Sequence, residues 1–149
     1  MHEGSEWSHE GQARRPADYL RILLADDNIV EQKIAERMFR FMGYDVDIVS
    51  NGFEVVQAVR LKQYDVAIID EIMPYMNACG TAKRIRSLPA LWKQPWIVLS
   101  TSDVNYTFTP QNACSFDDFI CKPFDEDVLW QLLARVPHPK LLTDHSASR

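Results

Sequence analysis

Five short apolar segments recur through the middle of the chain: Arg21–Ala25 (RILLA), Tyr44–Val49 (YDVDIV), Asp65–Ile69 (DVAII), Trp96–Ser100 (WIVLS) and Asp118–Cys121 (DFIC). Three are near-continuous apolar runs, the pattern of parallel strands covered on both faces. Tyr44–Val49 alternates instead, which predicts an edge strand. Helical periodicity fills most of the gaps. Val30, Ile34, Met38 and Phe41 form a single stripe that Gly43 ends. Val55, Val56, Val59 and Leu61 mark a second helix introduced by Asn51-Gly52, and Ala82 and Ile85 mark a third. Val128, Leu129, Leu132, Leu133 and Val136 mark the last, with Asp125 placed to cap it. Strands alternating with single helices imply right-handed crossovers and a parallel sheet. The fold class is therefore α/β, a small doubly wound sheet of five strands and about five helices.

Length and composition narrow the function classes. A chain of 149 residues sets a prior of one domain, and 46% hydrophobic with 25% charged residues is an ordinary globular balance. No apolar run approaches the roughly 18 residues that would span a bilayer. The first 15 residues are polar and lack the apolar core of a secretory signal. A net charge of −5 gives no footprint for nucleic acid. Cys79, Cys114 and Cys121 form no CxxC pair, and their spacings suit neither zinc nor a disulfide framework, so a reducing, cytoplasmic compartment is expected. The histidines, His2, His9, His138 and His145, all lie near the termini, so no His-based triad or metal site is expected in the core.

In a doubly wound sheet, sites form beyond the C-terminal ends of the strands. Here the first strand ends in Asp26-Asp27, the third in Asp70, the fourth in Ser100-Thr101 and the fifth in Lys122-Pro123. Each has an ordinary reading alone: a helix cap, a turn, a helix start, a surface turn. Four coincidences on one rim are far rarer than one. Clustered carboxylates repel and call for a cation, and oxygen ligands of this type suit Mg²⁺. A carboxylate can also act as a nucleophile and form an acyl phosphate, whose oxygens an ammonium, a hydroxyl and Mg²⁺ would neutralise.

The segments LLADDN (Leu23–Asn28), VAIIDEIMP (Val66–Pro74), IVLSTS (Ile97–Ser102) and FICKPF (Phe119–Phe124) resemble the receiver domain of two-component response regulators. GYDVDIVSNG (Gly43–Gly52) is similar to that family's second strand and turn. The resemblance implies a flavodoxin-like sheet of order 2-1-3-4-5 over residues 19–136, flanked by a flexible N-terminal tail, 1–18, and a C-terminal tail, 137–149. It implies that Asp70 is the phosphoacceptor, and that Asp26, Asp27, Asp70 and the backbone carbonyl of Ile72 serve Mg²⁺. It implies that Lys122 pairs with a phosphoryl oxygen, that Ser100 is the switch hydroxyl with Thr101 its rival, and that Phe119 is the aromatic switch. The resemblance also implies that Ile72 and Ser102, two residues after Asp70 and Ser100, flank the path of a hydrolytic water. Ile72 offers it no hydrogen bond, so slow self-dephosphorylation is expected.

The resemblance further implies a signalling module, not an enzyme beyond Mg²⁺-dependent self-phosphorylation and autodephosphorylation. The implied partners are a histidine kinase or histidine phosphotransfer protein and a downstream protein; a homodimer is compatible, and no nucleic acid or membrane is involved. With 13 residues after Val136, no second domain is expected in this chain, and a stand-alone receiver and one excised from a hybrid kinase stay open. The alternative is a receiver-fold interaction module that works without phosphorylation. A phosphatase of the haloacid dehalogenase type would need an Asp-x-Asp after the first strand, where Ala25-Asp26-Asp27-Asn28 stands. A nucleotide site would need a Gly-rich loop there.

Three departures from the family stand out. Asn77-Ala78 replaces Asp-Gly, with Asn77 expected to tolerate a left-handed turn. Cys114-Ser115-Phe116 replaces a small Ala-Gly segment. Thr, Asn and Pro110 break up residues 103–116, so the fourth helix is expected to be irregular, displaced or absent.

Overall fold

The apolar segments of the sequence become the strands of the computed structural model: β1 (Ile22–Ala25), β2 (Val46–Val49), β3 (Val66–Asp70), β4 (Trp96–Thr101) and β5 (Asp118–Cys121). The structure describes residues 19–89, 93–109 and 114–137. The expected N-terminal tail, Pro110 and all but Pro137 of the expected C-terminal tail lie outside the described residues. All four strand pairings are parallel, in the order β2-β1-β3-β4-β5. The alternating segment is an edge strand, as its pattern predicts.

Four helices cover the sheet among the described residues: α1 (Ile29–Phe41), α2 (Gly52–Leu61), α3 (Ala78–Arg86) and α4 (Glu126–Arg135). Each begins at an Asn or Asp whose side chain accepts a first-turn backbone N–H: Asn28 from Glu31, Asn51 from Glu54, Asn77 from Gly80 and Asp125 from Val128. Such caps are worth about 1 kcal/mol each and fix where each helix starts beyond its strand. Alternate residues of β1 face opposite ways. Ile22 and Leu24 pack with Phe39, Leu129 and Leu132 of α1 and α4. Leu23 and Ala25 pack with Val55, Val59, Ala82 and Ile85 of α2 and α3. At Gly52 any Cβ would collide with the Thr81 side chain, so the glycine lets α2 lie close against α3.

Three details correct the sequence reading. The stripe that identifies α1 is only partly its packing face: Ala35, Phe39 and Met42 are buried and Met38 packs partly buried against the core, while Val30, Ile34 and Phe41 are 65%, 51% and 82% exposed. Asn77 is extended, with φ −75° and ψ 176°, and acts as the α3 cap; the left-handed residue of that turn is Tyr75, with φ 73°. Cys79 and Cys114 form a disulfide with Cα atoms 5.3 Å apart. The separation of 35 residues carries no signal, because only the fold brings the first turn of α3 beside the chain entering β5. The cytoplasmic expectation loses the cysteine spacing as its support; among the described residues no helix is long and apolar enough to cross a membrane.

Between β4 and β5 the described residues, 102–109 and 114–117, contain no helix. Cys114 and Ser115 both take positive φ, which a helix forbids. The segment is held instead by the disulfide, by Arg86 donating to the Ser115 carbonyl at 3.0 Å, and by ring packing described below. Reducing the disulfide reopens a loop of 35 residues in the unfolded chain, a cost of about 3–4 kcal/mol by loop-closure entropy. A dithiol reductant should therefore lower the denaturation midpoint of the parent chain and leave Cys79→Ser unaffected. Equal midpoints for the parent with and without reductant would refute the stabilising role.

Candidate functional site

Strand order places the C-terminal ends of β1, β3, β4 and β5 on one rim. Asp26 follows β1 and is buried, its carboxylate accepting the Asn28 N–H at 2.9 Å. Asp27 beside it is exposed, and Asp70 closes β3 half-buried. Carboxylate oxygens from Asp26, Asp27 and Asp70 lie within 4.8 Å of one another. Three converging hard oxygen donors fit a small divalent cation such as Mg²⁺.

Lys122 stands opposite them. Its backbone N–H donates to the Thr101 carbonyl at 2.7 Å, which fixes the start of the side chain at the end of the sheet. Its ammonium meets Glu31 at 2.6 Å, Asp70 at 3.1 Å and Asp26 at 3.2 Å. Burial disfavours the Lys122 charge, but the bonds to Glu31, Asp70 and Asp26 outweigh it and hold the ammonium above its usual pKa. Burial pushes Asp26 up to about 6 against the Asn28 N–H and Lys122, with Glu31 adding to the rise. Asp70 is also raised, first by burial and then by the Glu31 and Asp27 charges, with Lys122 opposing. Glu31 is lowered, chiefly by Lys122.

The two hydroxyls of β4 differ in what they are doing. Ser100 is the register partner of Asp70, and its buried Oγ has no hydrogen-bond partner among the described residues. Thr101 donates to Glu71 at 2.6 Å and accepts the Asp103 N–H at 3.0 Å. The Ser100 hydroxyl is thus unengaged beside Asp70, while that of Thr101 is occupied.

Phe119, one strand over, forms a three-ring cluster with Tyr106, at 4.9 Å between centroids, and Phe108, at 5.0 Å, which are themselves 5.9 Å apart. Ile72 and Ser102 are exposed at the mouth of the rim. Beside the rim runs an open groove of about 350 Å³, lined by Asp26, Glu31, Ile34, Met38, Lys122 and Phe124. All the residues singled out from the sequence thus lie on or beside one rim. Glu31 and Glu71 were missed. Glu71 could be noticed as the neighbour of Asp70, whereas Glu31 belongs to no strand end and only the helix start turns it toward Lys122.

The sequence profile described as the response regulator receiver domain matches residues 22–134. Among curated relatives, hybrid signal transduction histidine kinase K of Dictyostelium discoideum is 28% identical over 121 residues, covering 76% of this chain but 10% of the kinase. The chain therefore spans about a tenth of that relative's length. A CheY-like receiver domain from Methylobacillus flagellatus matches with a TM-score of 0.72 and 22% identity, over 80% of this chain and 99% of the other. The receiver domain of the sensor histidine kinase PA1611 from Pseudomonas aeruginosa, described with a magnesium ion coordinated in its active-site cleft, matches with a TM-score of 0.68 and 27% identity, over 79% of this chain and 97% of the other. A family profile that runs from β1 to the last helix, over the same sheet, places the chain in the response regulator receiver domain family.

Proposed function

We propose that this receiver domain accepts a phosphoryl group on Asp70 from a histidine kinase or histidine phosphotransfer protein, and that the modified form binds a downstream protein. The observation that carries the reading is the buried, unpartnered Ser100 hydroxyl beside Asp70 in the sheet. A buried hydroxyl without a partner costs roughly 1–3 kcal/mol, and a phosphoryl oxygen on the neighbouring carboxylate relieves that cost.

An Asp70 oxygen attacks phosphorus, the P–N bond to the donor imidazole breaks, and the leaving nitrogen takes up a proton. Lys122 neutralises one phosphoryl oxygen and Ser100 donates to another. Asp26, Asp27 and Asp70, with the Ile72 carbonyl, would hold Mg²⁺, which neutralises phosphoryl charge when bound. Movement of Ser100 toward a phosphoryl group is coupled in this proposal to a turn of Phe119, which alters its contacts with Tyr106 and Phe108. That links the site to residues 102–109 and gives the modification a partner surface to alter. Beyond this self-catalysed transfer and the slow hydrolysis that reverses it, no enzymatic reaction is proposed; a cytoplasmic setting is proposed on the resemblance alone, since the Cys79–Cys114 disulfide does not favour a reducing compartment. The absence of a helix among the described residues between β4 and β5 favours one rival, an interaction module that works without phosphorylation.

The two readings part on one experiment. Acetyl phosphate with Mg²⁺ should add one phosphoryl group to the parent chain and none to Asp70→Asn, by intact mass. Labelling of neither, or of both, would sink the proposal. The variant should fold at least as well as the parent without metal, since the fold disfavours the Asp70 charge.

The metal should show a definite pH dependence. Asp26 holds its proton more tightly folded, at about 6, than unfolded, so metal-free stability should rise as pH falls from neutral through that value. Mg²⁺ needs the ionised carboxylate, so the stabilisation it adds should shrink over the same window. Thermal melts with Mg²⁺ and with EDTA on either side of pH 6 measure both. A Mg²⁺ effect independent of pH would count against Asp26 as a ligand.

Ile72 is 77% exposed and offers no hydrogen bond to an attacking water. Ile72→Asn should hasten loss of the phosphoryl group roughly tenfold, about 1.4 kcal/mol in barrier. Unchanged or slower decay would remove Ile72 from that role.

A further inference from the structure

Lys122 has three N–H donors, and three carboxylates claim them. The shortest contact belongs to Glu31 at 2.6 Å, not to Asp70 at 3.1 Å. Glu31 stands in the first turn of α1, where its own backbone N–H donates to the Asn28 cap and the helix dipole favours its negative charge. Resting on the reading of Asp70 as phosphoacceptor, the geometry points to Glu31 as a positioning residue that parks the Lys122 ammonium on α1 and holds the site below its full capacity for a phosphoryl group.

Two effects act in the same direction. First, the Lys122 side chain is 14% exposed and is anchored at its base by the bond to Thr101, so its ammonium has a short range of travel. Each hydrogen bond it keeps with Glu31 is one fewer for a phosphoryl oxygen. If Asp26 and Asp70 turn their oxygens toward a cation, Glu31 becomes the principal carboxylate still holding the lysine. Second, a phosphoryl group on Asp70 brings more negative charge to a rim where Glu31 is already negative, and like charges at such range repel. The Glu31 side chain is 45% exposed, so it can rotate into water when Lys122 is drawn away. The carboxylate thus opposes phosphorylation without blocking it. The bond also fastens α1 to the chain following β5, across one end of the groove lined by Ile34, Met38 and Phe124.

Glu31→Gln keeps the size and the helix position but loses the charge. Beryllofluoride, a stable stand-in for the phosphoryl group, should bind the variant more tightly than the parent at saturating Mg²⁺, by roughly three- to tenfold, the scale of a half-buried ion pair. Labelling by acetyl phosphate should quicken by a similar factor. Mg²⁺ affinity measured alone should stay equal or fall slightly, because a negative charge has left the rim. That opposition of signs separates a positioning role from a structural one, since a loosened site would weaken both ligands. Equal or weaker beryllofluoride binding by the variant, in a parent that does bind it, overturns the assignment to Glu31. A parent that binds no beryllofluoride and accepts no phosphoryl group would instead remove the reading of Asp70, and this inference with it.

Discussion

One ammonium holds the rim together. Four carboxylates, from Asp26, Asp27, Glu31 and Asp70, gather at the ends of β1 and β3 and in the first turn of α1, and the Lys122 side chain is the cation set among them. Without it, burial of Asp26 and Asp70 beside further negative charge would be prohibitive. With it, the negative charge is only partly balanced, and Asp26 and Asp70 stay raised in pKa, first by burial and then by their acidic neighbours. A site left short of positive charge favours a divalent cation and tolerates added anionic groups only when that cation comes with them.

The strands and the acidic rim were legible because they rest on local rules. Apolar runs of strand length give β1, β3 and β4 directly, and parallel crossovers turn the residues after those runs into neighbours. Asp125 can be read as a cap because a helical stripe follows it. What escaped the sequence depends on three-dimensional proximity. Cys79 and Cys114 meet only because the chain between β4 and β5 passes the start of α3. The stripe of α1 gives the right period but a face turned partly away from the core, since periodicity marks an apolar side without saying what covers it: Met38 packs inward, while Ala35 and Phe39 are the residues buried over β1. Asn77 looks like a left-handed turn residue by type, but the cap it provides to Gly80 requires extended backbone, and the turn moves its positive φ to Tyr75.

The stretch from Ser102 to Asp117 is tied at separate points. Near the sheet, Tyr106 and Phe108 pack with Phe119 in a three-ring cluster. Farther along, Cys114 is bonded to α3 and Ser115 is held by Arg86. Thr101, engaged with Glu71, links the start of the stretch to the residue that follows β3. Among the described residues of this stretch, the contacts that reach Phe119 are thus aromatic ones and not those of a helix.

The two faces of α1 differ in what they can tolerate. Ala35, Phe39 and Met42 anchor the helix in the core, and a change there disturbs packing shared with β1 and α4. Val30, Ile34 and Phe41 face outward and contribute little to that packing. Over generations the outer positions can drift while the fold and the acidic rim stay intact. Duplicated copies of such a gene could thus diverge in what they touch before they diverge in what they are, a route by which many insulated signalling lines can arise from one scaffold.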